Sequence, residues 1–297
     1  MDNRIGIWLL GVGKLIRITA RAKINLTLDV LGTLPDGYHE VATVMQALDF
    51  HDTLEIRGGT YGLTLSSNSK AIPLGDDNLV FKAFEHLIKY AGPGRGVHIH
   101  IRKNIPMAAG LGGGSSNAAA ALVGLNRFWE LGLTTDALME IGSHIGADVP
   151  FFIMGKTALG TGKGDKLIPL SSPPTMGVVL VKPHFGVSTA QVYKMFDSLS
   201  YVPEPRTGLM IEAINNKSIK NIAANLGNAL EQVTASLHPQ IHQIKRMLTQ
   251  AGALGVQMSG SGPTVFALTE SKNKAEELAR HLNKDSMTVL VTETVLE

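Results

Sequence analysis

The stretch Pro106–Asn126, "PMAAGLGGGSSNAAAALVGLN", sets four glycines (Gly110, Gly112, Gly113 and Gly114) directly before one of the strongest helix-forming runs in the chain. Glycine lacks a β-carbon, so consecutive backbone N–H groups can converge and a bulky anion can approach the main chain closely. A helix that starts there adds unpaired first-turn N–H groups and the positive end of its dipole. Ser115 and Ser116 are favourable N-cap residues, and their hydroxyls can also meet phosphate oxygens or a metal ion. The segment is built like a phosphate cradle. The competing reading is a glycine-rich loop that precedes a helix and holds nothing. Two familiar phosphate motifs are not met. No lysine follows the last glycine, as G-x-x-x-x-G-K-[ST] requires, and Ser115 stands where G-x-G-x-x-G needs its third glycine.

Other segments gain meaning beside this one. In "MSGSGPTVFAL" (258–268), Gly260 and Gly262 alternate with Ser259 and Ser261 between two apolar runs. Alone this is a hairpin turn; next to a phosphate loop it is a second glycine turn able to support or close over the first. In "GADVPFF" (146–152), Asp148 follows a helix end and precedes Pro150, an ordinary turn position. In "RAKINLTLDV" (21–30), Lys23 interrupts an apolar alternation, so its ammonium faces solvent by default or else meets an anion, and Asn25 shares its face. His98 and His100 share a strand face, and His238 and His242 stand four apart. Neither pair has a third ligand beside it, so both read as surface histidines and no metal-ligand set is expected.

At 297 residues the chain can form one large domain or two moderate ones. A hydrophobic fraction of 44% and a charged fraction of 18% suit a packed globular protein. Lys and Arg total 27 against 25 for Asp and Glu, and no dense basic tract stands out, so neither nucleic-acid nor membrane-surface binding is expected. The absence of cysteine excludes disulfides, thiolate metal sites and cysteine nucleophiles, and suits a cytoplasmic protein. The apolar "IGIWLLGVG" near the N-terminus is too short to span a bilayer and lacks a cleavage site, so it reads as an extension before a domain that begins near Leu15. The first third alternates as strands: "IRITA", "KINLTLDV", "TLEIR", "GLTL" and "VHIHI", with a tight turn at Asp36-Gly37. Helical spacing covers Asn78–Gly92 (with Pro93 beyond it), Ser115–Leu131 and Thr134–Ile145, and "VPFFIMG" reads as a short buried strand. A second half begins near Gly164. It carries a strand "GVVLV", several helices between Ser188 and Gln250, strands "GVQMS" and "TVFALT", a helix "KNKAEELARHL" and a final strand "MTVLVTE". Hinges or loops are expected near 155–175 and 200–208. This interleaving without strict βαβ repetition predicts an α+β protein.

Together these pieces resemble the GHMP kinase superfamily, whose members include galactokinase, homoserine kinase and mevalonate kinase. The match runs from about Leu15 to the end. "PMAAGLGGGSSNAAA" is similar to the family's ATP loop and "SGSGPTVF" to its C-terminal glycine motif. "ARAKINLTLDVLGTLPDGYHEVATVMQALDFHDTL", the expanded "GLGGGSSNAAAAL" and "GADVPFF" resemble the member that phosphorylates a cytidyl diphosphate sugar alcohol, and "DGYHE" argues against homoserine or mevalonate as acceptor. The resemblance implies a two-domain kinase with a ribosomal S5-like N-terminal domain (15–163) and a ferredoxin-like C-terminal domain (164–297), its active site in the cleft between them. It implies Asp148 as the base that takes the substrate hydroxyl's proton, and Lys23 close by to keep Asp148 ionised and stabilise the transferring phosphoryl. It further implies an ATP site along Pro106, Met107, Ala108, Ala109, Gly110, Leu111, Gly112, Gly113, Gly114, Ser115 and Ser116, with Asn78 on the adenine side. Asn25 would orient the substrate, Tyr38 and His39 would recognise the cytosine, and Tyr193 would close its other face. ATP is the expected co-substrate, with Mg2+, for which Ser116 is the candidate ligand.

Overall fold

The computed structural model describes residues 5–10, 13–92, 94–199, 203–282 and 285–295. In chain order the elements are β1 (Ile5–Leu10), β2 (Gly13–Thr33), β3 (His39–Gly59), β4 (Gly62–Ser67), α1 (Leu79–Ala91), β5 (Gly96–Arg102), α2 (Gly113–Phe128), α3 (Thr135–Ser143) and α4 (Val149–Met154). They continue as β6 (Thr157–Thr161), β7 (Lys166–Pro169), β8 (Gly177–Pro183), α5 (Thr189–Phe196), α6 (Thr207–Asn215), α7 (Ile219–Ala224) and β9 (Gly227–Asn228). The last are α8 (Glu231–Leu237), α9 (Gln240–Gln250), β10 (Gly255–Met258), β11 (Val265–Thr269), α10 (Lys272–Arg280) and β12 (Met287–Glu293). Two compact units arise. Residues 1–22, 50–107 and 112–155 make the first, and residues 23–49, 108–111 and 156–297 the second.

In the first unit β1 pairs antiparallel with β2, Ile5 opposite Ile18. The apolar N-terminal run, read from sequence as an extension, is therefore a strand, with residues 1–4, 11 and 12 outside the described ones. β5 runs antiparallel to β3 and parallel to β4. The alternation expected of half-buried strands holds: Ile16, Ile18, Leu54, Ile56, Ile99 and Ile101 are buried. α1 begins where Asn78 Oδ1 accepts from the Val80 N–H at 2.9 Å, and it ends at Gly92; Pro93 lies outside the described residues. α2 buries Ala118, Ala119, Ala120 and Ala121 in succession. Such small side chains let a helix approach its sheet closely, and at Gly124 the approach leaves no room for a β-carbon. One placed there would lie 2.4 Å from Ile56 Cδ1 and 2.7 Å from Ile18 Cδ1.

One expected element is different. "VPFFIM" is the helix α4, not a strand. Val149 to Ile153 are all buried, so the run carries no periodicity to tell the two apart. Pro150 decides it. It stands in the first helical turn, where its missing N–H costs no hydrogen bond, and Gly155 at φ 75° closes the helix.

The second unit contains the hairpin of Lys23–Thr33 and His39–Asp49, whose turn places Gly37 at φ 82° and lets the Leu34 N–H donate to the Tyr38 carbonyl at 2.6 Å. β6 adds antiparallel to β3, β7 antiparallel to β6, and β9 parallel to β2. These three short strands have no strong sequence signal. A separate four-stranded antiparallel sheet has the order β10-β11-β8-β12. With α5–α9 between its first and second strands in chain order and α10 between its third and fourth, it has the ferredoxin-like arrangement expected. Val179, Val181 and Val265 of this sheet pack with Ile241 and Leu248 of α9 and Leu278 of α10. Among the described residues no helix is long and apolar enough to cross a membrane. Residues 200–202 of the expected 200–208 loop lie outside the described residues.

The contact at Gly124 yields a test. Alanine for glycine inside a helix gains about 0.5–1 kcal/mol, whereas overpacking costs about 1–3 kcal/mol, so Gly124→Ala is expected to lower stability in urea unfolding. Adding Ile56→Val removes the methyl that Gly124's new β-carbon would strike, and should recover part of the loss. A single variant as stable as the parent would contradict the packing.

Candidate active site

The glycine segment has the backbone its composition demands. Gly110 (φ 73°) and Gly112 (φ 70°) are left-handed, and Ala108 is too, at φ 47°. Gly112 is the N-cap of α2, and its carbonyl accepts from the Ser116 N–H at 2.9 Å. Helix therefore starts two residues earlier than expected. Ser115 and Ser116 are not caps but lie in the first turn, where the N–H groups of Gly113, Gly114 and Ser115 have no partner within the helix. No side chain caps this end. Ser116 Oγ is buried and has no hydrogen-bond partner. A fully desolvated hydroxyl left unmatched costs about 1–3 kcal/mol.

Asp148, also in the first unit, is the N-cap residue of α4 at φ −81° and ψ −12°, and its carboxylate makes no capping bond to that helix. Asn78 caps α1 and donates from Nδ2 to the Pro73 carbonyl at 2.7 Å.

The second unit holds the other candidates. Lys23 is not at the surface, as strand alternation alone would have it, but only 5% exposed. Its Nζ donates to Asn25 Oδ1 at 2.8 Å, and Asn25 Nδ2 donates to Thr43 Oγ1 at 2.8 Å. The backbone locks this strand to the loop, since the Lys23 N–H donates to the Leu111 carbonyl at 3.1 Å. Ser259 joins the same block: its Oγ donates to the Gly110 carbonyl at 2.9 Å and accepts from the Asn25 N–H at 3.4 Å. A β-carbon on Gly110 would lie 2.3 Å from the Ser259 carbonyl oxygen. The "SGSG" motif is thus packed against the glycine loop. Asn228 steadies it from behind, Nδ2 donating to the carbonyls of Met258 and Gly260.

Beyond the Asp36-Gly37 turn, Tyr38 presents its ring to solvent, 61% exposed, with Lys163 Nζ 3.9 Å from the ring centroid. Lys163 also pairs with Asp36 at 2.6 Å, and its hydrogen bond holds the Asp36 carboxyl below the usual carboxylate range. His39 stacks on Tyr193 with centroids 4.6 Å apart, and its Nε2 lies 2.6 Å from Asp197 Oδ1. Tyr193 is partly buried against the cluster of Leu28, Val41, Val192 and Phe196. That spacing leaves no room for a base between His39 and Tyr193. Thr189 Oγ1, at the start of the Tyr193 helix, shares a 2.7 Å hydrogen bond with Ser261 of the glycine motif. Among the described residues no group of three metal-ligating side chains occurs. His98 and His100 both bond Ser66 Oγ, and His238 stacks on Phe185.

Residues 78–156 match the model of the GHMP kinases N terminal domain, and residues 210–286 that of the GHMP kinases C terminal region. A 4-diphosphocytidyl-2-C-methyl-D-erythritol kinase from Pelotomaculum thermopropionicum is 48% identical over 280 residues, covering 94% of this chain and 98% of the relative. The chain belongs to the GHMP kinases. A second relative of the same name, from Exiguobacterium sibiricum, is 49% identical over 89% of this chain and 92% of its own. A crystal structure of 4-(cytidine 5'-diphospho)-2C-methyl-D-erythritol kinase superposes with a TM-score of 0.81 at 31% identity, covering 94% of this chain and 98% of that one. A homoserine kinase from Cytophaga hutchinsonii, TM-score 0.76 at 18% identity over 98% and 97% of the two chains, shares the fold. The architecture is that of a two-domain GHMP kinase with mixed helix and strand, and ATP is the phosphoryl donor of this family.

Gly110→Ala is the sharpest test of the loop contact. Its β-carbon meets the Ser259 carbonyl, and φ 73° is strained for any L side chain; together these are expected to cost about 2 kcal/mol or more of stability. Urea unfolding measures it, and a variant of parental stability would show that the two loops are not in contact.

Proposed function

We propose that this chain transfers the γ-phosphoryl of ATP to the 2-hydroxyl of 4-diphosphocytidyl-2-C-methyl-D-erythritol, in the methylerythritol phosphate route to isoprenoids. The observation that carries the reading is near-full-length identity of 48–49% to relatives bearing that enzyme's name. The buried, unmatched Ser116 hydroxyl at the head of α2 supports it.

In this reading Asp148 takes the proton from the 2-hydroxyl as its oxygen bonds to the γ-phosphorus and the bridging bond to ADP breaks. Lys23 offsets negative charge on the phosphoryl in transit, and most of the rate comes from positioning and charge neutralisation. Asn25, oriented by Thr43, directs substrate hydroxyls. The first-turn amides of α2 and the left-handed loop before it hold the phosphates. Asn78 borders the adenine with its backbone, since its side chain is engaged in capping. Mg2+ bound with ATP would be held at Ser116 Oγ and would neutralise phosphate charge; the orphaned hydroxyl fits that role. Tyr38 offers the stacking face for cytosine, His39 reads its polar edge, and Tyr193 fixes the imidazole while bounding the base site. The division at 163/164 is our proposed domain boundary, and the setting is cytoplasmic.

Purified protein with Mg2+ and ATP should phosphorylate the cytidyl substrate and leave homoserine and mevalonate untouched. Asp148→Asn should bind ATP nearly as the parent does while turnover falls about two to four orders of magnitude, the range for losing a general base. Near-normal turnover in that variant would remove Asp148 from the role, and transfer to homoserine alone would sink the substrate assignment.

A further inference from the structure

A buried polar cluster of the first unit joins the two flanks of the glycine loop, and the reaction described above makes no use of it. Asp52 of β3 is fully buried and accepts four hydrogen bonds: from Lys103 Nζ at 2.6 Å, the Asn104 N–H at 2.6 Å, the Ile105 N–H at 2.8 Å and Asn117 Nδ2 at 2.8 Å. Lys103, the residue after β5, has a side chain only 5% exposed. Burial lowers its pKa more than the Asp52 carboxylate raises it. The chain runs from Lys103 through Asn104 and Ile105 into Pro106, the start of the glycine loop, while Asn117 stands in the second turn of α2, just past the loop's end. One carboxylate thus grips both the backbone going into the loop and the helix coming out of it. The ammonium lies against the first helical residue as well: a β-carbon on Gly113 would be 2.9 Å from Lys103 Nζ.

A buried ion pair is a poor way to stabilise a fold, because desolvation consumes most of the attraction and apolar groups of like shape often do as well. What short charge-assisted hydrogen bonds supply is direction and distance. Here they fix the separation between the two ends of a loop whose own glycines cannot fix it.

We propose that Asp52, Lys103 and Asn117 are positioning residues for the nucleotide phosphates, a clasp that holds the two ends of the glycine loop where the first-turn amides of α2 converge. The inference rests on the kinase reading of that loop. Loosening the clasp spreads the amides, so ATP binding suffers while the acceptor site is untouched.

The test titrates Mg-ATP calorimetrically into the full chain without acceptor, for the parent, Asn117→Ala, and the neutral pair Asp52→Asn with Lys103→Met. Urea midpoints are measured alongside. Asn117→Ala leaves three of the four bonds to Asp52, and the paired change leaves no unmatched charge, so both variants are chosen to fold. Roughly tenfold weaker ATP binding is expected in each, including where the midpoint stays parental. KM for the cytidyl substrate at saturating ATP should stay constant. Parental ATP affinity in folded Asn117→Ala and in the folded double variant would make the cluster merely structural and overturn the proposal. If the double variant does not fold, Asn117→Ala alone decides. A parent chain that binds no ATP would instead overturn the reading of the loop itself.

Discussion

Where Gly110 meets Ser259, two stretches of main chain come within a distance that no β-carbon tolerates. Much of the site follows from that contact. Ser259 Oγ spans from the Gly110 carbonyl to the Asn25 N–H, and the neighbouring Leu111 carbonyl receives the Lys23 N–H. The loop, the strand carrying Lys23 and Asn25, and the second glycine motif are therefore one hydrogen-bonded block, and the position of each sets that of the others. Side-chain bulk at the crossing would separate them. Glycine at position 110 is thus explained by one steric requirement, in addition to any ligand that the loop holds.

The strand within that block departs from ordinary patterning. Its even positions, Ile24, Leu26 and Leu28, are buried apolar residues, but its odd positions, Lys23, Asn25, Thr27 and Asp29, are buried as well. A second buried face made of polar groups is costly unless every group is matched. The matches are found: Lys23 on Asn25, Asn25 on Thr43, Thr43 on the Thr27 carbonyl, Thr27 with Thr207, and Asp29 accepting from the N–H groups of Arg206 and Thr207. An apolar face would hold the same strand with less demand on geometry. A polar ladder holds each head group at one orientation, as the roles proposed for Lys23 and Asn25 require.

Sequence made some of this legible and hid the rest for identifiable reasons. Glycine spacing marked the loop, since backbone conformation at Gly110 and Gly112 is a local property that glycine announces. Apolar alternation marked the long strands and the β-α-β-β-α-β order. The same alternation misplaced Lys23, because period two predicts which face a residue shares but not whether that face is covered. "VPFFIMG" misled because a run buried on every side has no period. Serine's cap preference placed the start of α2 two residues late, where a left-handed glycine does the work. Asp52, Lys103 and Asn117 carried no signal at all: 65 residues separate Asp52 from Asn117, and only the folded chain brings them together. Lys163 was missed in the same way, its ring contact with Tyr38 arising between distant turns.

Ser116 contrasts with these networks, as does Thr264, whose buried hydroxyl also lacks a hydrogen-bond partner. Asp52 is surrounded by donors, Asn25 is held at both ends of its amide, and Ser259 both gives and receives. Ser116, equally buried and one residue from Asn117, gives and receives nothing through its hydroxyl. Alanine there would fill nearly the same volume without the desolvation cost, and Ala118, Ala119, Ala120 and Ala121 show that alanine is what this helix otherwise uses. A hydroxyl at that cost, at the positive end of a helix whose first amides have no partner within the helix, fits the proposed role of this end in holding an anion and its counter-cation.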